Sequence, residues 1–290
     1  MPSKIRKICV ELPKTLFNPE LIMNSGQVFR MLKKQGMYHV YSGDKPIAFK
    51  RRANQYEFYT TIEDWNEFWV NYFDFNTDYS KFNEAIRNSK DEFLENSMKM
   101  CQGMRILRQD LWETIVTFII SQQNNIPKIS KTVEILCERF GSKRSYYTGL
   151  NTKDIQYFYT FPSADRIANL SLKTLSDGTM LGYRAEYLLE LAKAVKSNKF
   201  SLEELQNLTY EEAMKKLQSV KGIGPKVGNC ICLYGLHLFE SYPIDTWMKK
   251  IIEEDYSQYS LEEYKSYIDK NYKGFQGYVQ QIQFYYKRNL

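Results

Sequence analysis

Histidine is almost absent from this chain: His39 and His237 are the only two in 290 residues. A histidine-built zinc site or a Ser–His–Asp triad therefore has almost no material. Five cysteines, at positions 9, 101, 137, 230 and 232, include no Cys-x-x-Cys pair. Their odd number suits a reducing, intracellular compartment, and so does an N-terminus in which Glu11 and Pro13 interrupt any signal-type apolar region. No run approaches the ~18 consecutive apolar residues that a membrane span needs, so no membrane partner is expected. Nor is there a block of one charge. The net charge of +6 divides into 16 Lys/Arg against 13 Asp/Glu over residues 1–105, and 24 against 21 beyond. Any site for a polyanion has to be built by folding, because no basic tail is available.

The rest of the composition is that of a folded protein, 43% hydrophobic and 26% charged, and the length allows two domains. Residues 37–60 alternate β-formers with Gly-Asp and Ala-Asn breaks, which predicts a meander of three antiparallel strands. KICVEL and QVFRML, upstream, are two more strand candidates. Beyond about residue 105 the apolar spacing becomes helical, as in 111–122, 184–197 and 210–220. The expected fold class is α+β: an antiparallel β domain over 1–105, then an all-α region over 106–290 with a helix-hairpin-helix near 210–236. The 23 tyrosines and 17 phenylalanines are read chiefly as packing residues.

The most informative stretch is 217–253. A helix ends near Val220, Gly222 and Gly224 permit a tight hairpin, and Pro225 sits where a new helix starts. Backbone amides of such a turn, with the helix N-terminus behind it, make a phosphate cradle indifferent to base sequence. Lys226 then falls in the first helical turn. The helix dipole lowers its pKa only slightly, by about 0.3–1 kcal/mol, so activation as an amine nucleophile needs desolvation or a neighbouring cation. Asp245, in Pro-Ile-Asp before TWMKKIIEE, reads as an N-cap whose carboxylate is held ionised by backbone N–H groups. Taken singly, these are also a helix corner, a surface charge and a structural cap.

Together they resemble a known family. GIGPKVGNC followed by PID is similar to the helix-hairpin-helix–GPD superfamily of DNA glycosylases, and within it to the 8-oxoguanine DNA glycosylase/lyases. NSGQVFR (24–30), ILRQD with FIISQQNNIPKI (106–129), LGYRAEY (181–187) and GYVQQIQF (277–284) extend the resemblance along most of the chain.

The resemblance implies a bifunctional enzyme. Lys226 takes the place of the lysine that attacks C1′ and forms a Schiff base, permitting β-elimination. Asp245 takes that of the aspartate stabilising the oxocarbenium-like sugar. Gly26 would accept, through its carbonyl, from the N7–H that oxidation creates on guanine. Gln280 would read the polar edge of the base, with Phe284 stacking on one face and Cys230 packing on the other. Tyr183 matches the family's wedge, Asn124 and Asn125 lie in the loop entering the gap, and Gly222 and Gly224 grip the backbone.

Three positions depart from the pattern. Gln123 and Lys128 stand where the family reads the orphaned cytosine with asparagine and arginine, while Arg184 keeps the third contact. Lysine lacks arginine's bidentate fork, so a relaxed opposite-base preference is expected. Trp247 replaces a histidine common in eukaryotic members.

The implied partner is double-stranded DNA containing 8-oxoguanine, bound by a monomer. The implied location is intracellular, cytoplasmic and nucleoid-associated for a bacterial source. No metal or cofactor is expected, since the cysteines lack iron–sulfur spacing. Two alternatives stand beside this: a glycosylase for other oxidised or alkylated purines, and a non-catalytic helix-hairpin-helix DNA-binding module.

Overall fold

The computed structural model describes residues 5–151 and 153–290. Five strands, β1 (Arg6–Glu11), β2 (Met31–Lys34), β3 (Met37–Ser42), β4 (Lys45–Arg52) and β5 (Gln55–Thr60), form one antiparallel sheet. Its order is β1-β5-β4-β3-β2, so the first strand closes the edge beside the last. The meander expected over 37–60 is there. QVFRML yields a strand only from Met31 onward, because residues 25–30 form a loop that ties the two halves of the molecule together.

Strand alternation puts different residues on the two faces of the sheet. Phe49, Tyr56 and Phe58 meet Phe17 and Phe73 on one face, with Phe17 and Tyr56 edge to face at 5.1 Å. His39 and its cross-strand neighbour Ala48 lie on the other. That second face is covered by a hairpin, β6 (Lys143–Tyr147) and β7 (Ile155–Tyr159), a β element inside the region expected to be helical. Ala48 packs with Tyr146 and Phe158, Tyr41 stacks on Phe158 at 5.0 Å, and the Tyr146 hydroxyl meets His39 Nδ1 at 2.7 Å.

The principal helices are α1 (Ser80–Ser89), α2 (Glu92–Met100), α3 (Leu111–Ile120), α4 (Ile126–Phe140), α5 (Arg184–Lys196), α6 (Tyr210–Gln218), α7 (Pro225–Tyr234), α8 (Thr246–Asp255), α9 (Leu261–Asn271) and α10 (Gln276–Arg288). The two large cores do not follow chain order. Ile115, Ile119, Leu136, Leu188, Leu217 and Ile231 belong to a core built from α3 to α7. Ile251, Tyr264 and Ile282, from the last three helices, instead join Phe49, Trp69 and Leu94 in the core beneath the sheet. The C-terminal helix α10 therefore runs back to the 25–30 loop, placing Gln281 beside Ser25, 256 positions earlier.

That loop is fixed by buried polar groups. Gln27 donates from Nε2 to the Arg105 carbonyl at 2.9 Å and accepts from the Leu107 amide at 2.9 Å. Arg30 pairs with buried Glu113 at 3.2 Å, and Glu113 also accepts from the Gly43 amide at 2.8 Å. Breaking such a buried pair strands a charge, so both partners hold the loop strongly.

Candidate active site

The hairpin is built as its sequence suggests. A Thr209–Glu212 capping box starts α6, which ends at Gln218. Gly222 has φ +89, and a Cβ there would lie 2.4 Å from Tyr187 Cδ2. Only glycine fits, for both conformation and space. Lys221 holds the same hairpin to α5 through Glu186 at 2.9 Å. Gly224 is different: its φ is −87, and open space surrounds the position of a Cβ. It is the N-cap of α7 without a side-chain cap, so the first amides of the helix have no side-chain acceptor.

Lys226 follows, half-buried, with Nζ 5.7 Å from the centroid of Phe118. Cys230, one turn along α7, is buried. Burial pushes its thiol pKa up, the Lys226 ammonium opposes that rise, and the Asp245 carboxylate adds to it. The Lys226 ammonium and the Asp245 carboxylate thus both lie within electrostatic reach of the Cys230 thiol. Asp245 is the N-cap of α8 and accepts from the Met248 amide at 2.9 Å, which fixes its carboxylate.

Asn229, not singled out in the sequence, joins the two catalytic candidates. Its Oδ1 accepts from the Tyr242 amide and from the Tyr210 hydroxyl, each at 2.9 Å. The loop leading to Asp245 is thereby tied to the helix that carries Lys226.

A second line runs from Lys226 to Gly26. Phe118 stacks on Tyr234 at 5.3 Å, the Tyr234 hydroxyl donates to Gln281 Oε1 at 2.6 Å, and Gln281 Nε2 donates to the Ser25 carbonyl at 3.1 Å. Gly26, next in sequence, has φ +80. A Cβ on it would stand 3.2 Å from Ile126 Cδ1, 3.5 Å from Arg288 Nη1 and 3.6 Å from Phe284 Cε1. Gly26 and Phe284 are therefore brought together. Gln280 lies one turn before Phe284 on α10, buried, with its Oε1 lacking any partner. A buried unpaired acceptor is costly and marks a place where a ligand's donor belongs.

The residues expected at the wedge also gather. Gln123 is exposed with φ +47, and Asn124 Nδ2 donates to the Ile120 carbonyl at 3.1 Å. Asn125 caps α4 by accepting from the Lys128 amide at 3.0 Å, and the Lys128 side chain is exposed. Tyr183 is 47% exposed at the start of α5 and meets Tyr187 edge to face at 5.7 Å. Arg184 is buried, donating to the carbonyls of Leu181, Gln122 and Gln123. Trp247 is half-buried in the first turn of α8, with Lys250 Nζ 5.9 Å from its ring.

Sequence reasoning missed Phe118, Asn229, Gln281 and Arg288. Phe118 hides in an apolar run. Asn229 and Gln281 act through partners distant in sequence, and Gln281 is fully buried.

Among the described residues no helix is long and apolar enough to cross a membrane. Residues 9–115 match the 8-oxoguanine DNA glycosylase N-terminal domain, and residues 116–276 match the HhH-GPD superfamily base excision DNA repair proteins. The structure is similar to that of MBOgg1 in complex with a low-affinity DNA ligand (TM-score 0.89, 32% identity, covering 100% of this chain and 99% of that one). It is also similar to Clostridium acetobutylicum 8-oxoguanine glycosylase/lyase in complex with double-stranded DNA containing cytosine opposite 8-oxoG (TM-score 0.86, 28% identity, covering 100% and 99%). A curated relative, the N-glycosylase/DNA lyase of Saccharomyces cerevisiae, is 32% identical over 165 residues, 53% of this chain. The match spans 42% of the length of that yeast protein. The chain belongs to the HhH-GPD superfamily of base excision DNA repair proteins, and it carries the 8-oxoguanine DNA glycosylase N-terminal domain.

Proposed function

We propose that this chain is a bifunctional DNA glycosylase/AP lyase that excises 8-oxoguanine from duplex DNA and then cuts the strand. The observation that carries this reading is the tie through Asn229 between the helix of Lys226 and the loop that ends at Asp245, with the buried Cys230 thiol within electrostatic reach of both. Gly26 and Phe284 meet at the far end of the line through Phe118, Tyr234 and Gln281, with Gln280 one turn before Phe284.

The uncapped start of α7 and the hairpin amides take the phosphate backbone, and Tyr183 with the 123–125 loop fills the gap left by the extruded base. Extrusion costs a few kcal/mol, which these contacts offset. In the slot the base stacks on Phe284 and donates from N7–H to the Gly26 carbonyl. Guanine has an acceptor at N7, so two lone pairs would face each other and the undamaged base is rejected. The unpaired Gln280 Oε1 accepts from the N–H groups on the opposite edge.

The Lys226 amine then attacks C1′. The C1′–N9 bond breaks, its electron pair leaves with the base, and the base takes up a proton. Asp245 stabilises the positive charge that builds on the sugar. Opening of the sugar ring gives a protonated Schiff base between Nζ and C1′. Loss of a C2′ proton expels the 3′ phosphate by β-elimination, and hydrolysis frees the lysine. The five free cysteines suit an enzyme acting on DNA inside the cell, as a monomer.

The test is release of free base and strand nicking on duplexes carrying 8-oxoguanine, guanine or an alkylated purine. Release and nicking are expected with 8-oxoguanine alone. Release of the alkylated purine with 8-oxoguanine left in place would contradict the reading.

A further inference from the structure

We propose that Arg288 is a base-recognition residue, whose Nη1 donates a hydrogen bond to an exocyclic carbonyl oxygen flanking N7 of the flipped purine. This rests on reading Gly26, Gln280 and Phe284 as the base slot.

Arg288 is the last residue of α10, one turn beyond Phe284. Its guanidinium lies 5.1 Å from the Phe284 ring centroid and 5.7 Å from that of Tyr285, and Nη2 donates to the Asn24 carbonyl. These contacts fix the planar group. Nη1, by contrast, is buried and has no partner. It lies 3.5 Å from the point where a Cβ on Gly26 would stand. The guanidinium is also within electrostatic range of the Asp245 carboxylate.

A charged donor buried without an acceptor is among the more expensive arrangements a fold can keep, and it is explained when a ligand brings the acceptor. The chemistry of the lesion supplies one. In 8-oxoguanine the N7–H lies between two carbonyl oxygens, O6 and O8. When N7–H points at the Gly26 carbonyl, those flanking oxygens meet a wall that otherwise offers an acceptor and the apolar Ile126. Nη1 beside Gly26 is the donor that this edge lacks. Together with the unpaired Oε1 of Gln280, it gives the slot one free acceptor and one free donor, matching a ring with N–H groups on one edge and carbonyl oxygens on the other.

The experiment compares single-turnover release of 8-oxoguanine with nicking of a preformed abasic site, which has no base to recognise. The proteins are the wild type and the Arg288→Ala, Arg288→Met and Arg288→Lys variants. Losing a charge-assisted hydrogen bond should slow base release by about ten- to a hundredfold in Arg288→Ala and Arg288→Met. Arg288→Lys should recover only part of this, because an ammonium lacks the fork that anchors on Asn24 while presenting Nη1. Nicking of the abasic site should stay within about twofold in all three. Unchanged base release would overturn the proposal. Equal loss of release and nicking would make Arg288 merely structural, and faster release would make it an obstruction in the slot. Failure of the wild type to release 8-oxoguanine would instead overturn the functional reading itself, and this one with it.

Discussion

The Arg184 guanidinium is hydrogen-bonded to the backbone carbonyl of Gln122, with Nε 3.0 Å from the oxygen. It also lies 4.6 Å from the Tyr183 ring centroid. The start of α5 and the 121–125 loop are therefore joined into one rigid edge, with Tyr183 exposed upon it.

Those bonds bear on the base left behind in the duplex. Of the three positions proposed to read the cytosine, Arg184 is the one that matches the family pattern, and its Nε, Nη1 and Nη2 each already donate to carbonyls of this chain. Gln123 and Lys128 are exposed, the lysine lacks arginine's bidentate fork, and the glutamine carries its amide one methylene further out than asparagine. Excision rates opposite C, A, G and T should therefore lie within about an order of magnitude, or roughly 1.4 kcal/mol in barrier. Single-turnover kinetics on the four duplexes checks this, and a several-hundredfold preference for C would contradict it.

The two hairpin glycines should behave differently. Gly222→Ala forces a side chain into a left-handed backbone and against Tyr187, and should destabilise the fold by about 1–3 kcal/mol. Gly224→Ala meets no neighbour and has an ordinary φ, so thermal stability should hold while the new methyl crowds the uncapped amides of α7. DNA affinity measured by fluorescence anisotropy should fall in Gly224→Ala. Unchanged affinity would place the phosphate elsewhere.

Gln281→Leu would cut the link between Tyr234 and Ser25, leaving the buried tyrosine hydroxyl unpaired. A loss of about 1–3 kcal/mol is expected in denaturant unfolding. The Ser25–Gly26 peptide would also loosen, so release of 8-oxoguanine should drop more than nicking of an abasic site. Equal effects on the two steps would show that Gln281 serves stability alone.

Stability should carry a histidine signature. Burial pushes the His39 imidazole below its ordinary value of about 6.5. Between the folded value and about 6.5 the unfolded chain binds more protons than the folded one, so stability rises with pH through that window and is complete above it. Acidification below about 6.5 should loosen the contact between β3 and the β6–β7 hairpin, where His39 meets Tyr146. Denaturant midpoints measured between about pH 5 and 7 should slope less in His39→Asn than in the wild type. Identical slopes would remove His39 from the account.

The parts legible in the sequence are those set by local chemistry. Gly222, Pro225 and Asp245 announce a hairpin, a helix start and a cap because backbone conformation demands those residue types at those places. The β6–β7 hairpin was not legible, although Tyr146 and Phe158 are strand formers, because what makes it a strand pair is docking on Ala48 and Tyr41 about a hundred positions earlier. The same holds for Asn229 and Gln281, which act through partners distant in sequence. Arg288 carries no signal in the sequence, because its place beside Gly26 is set by where α10 ends.

Borohydride trapping on a duplex containing 8-oxoguanine tests the central claim most directly, because only a Schiff base between enzyme and sugar is reduced to a stable adduct. The account predicts a covalent complex for the wild type that is absent for guanine duplexes and lost in Lys226→Gln. No adduct with 8-oxoguanine, or an equal adduct from Lys226→Gln, would contradict it.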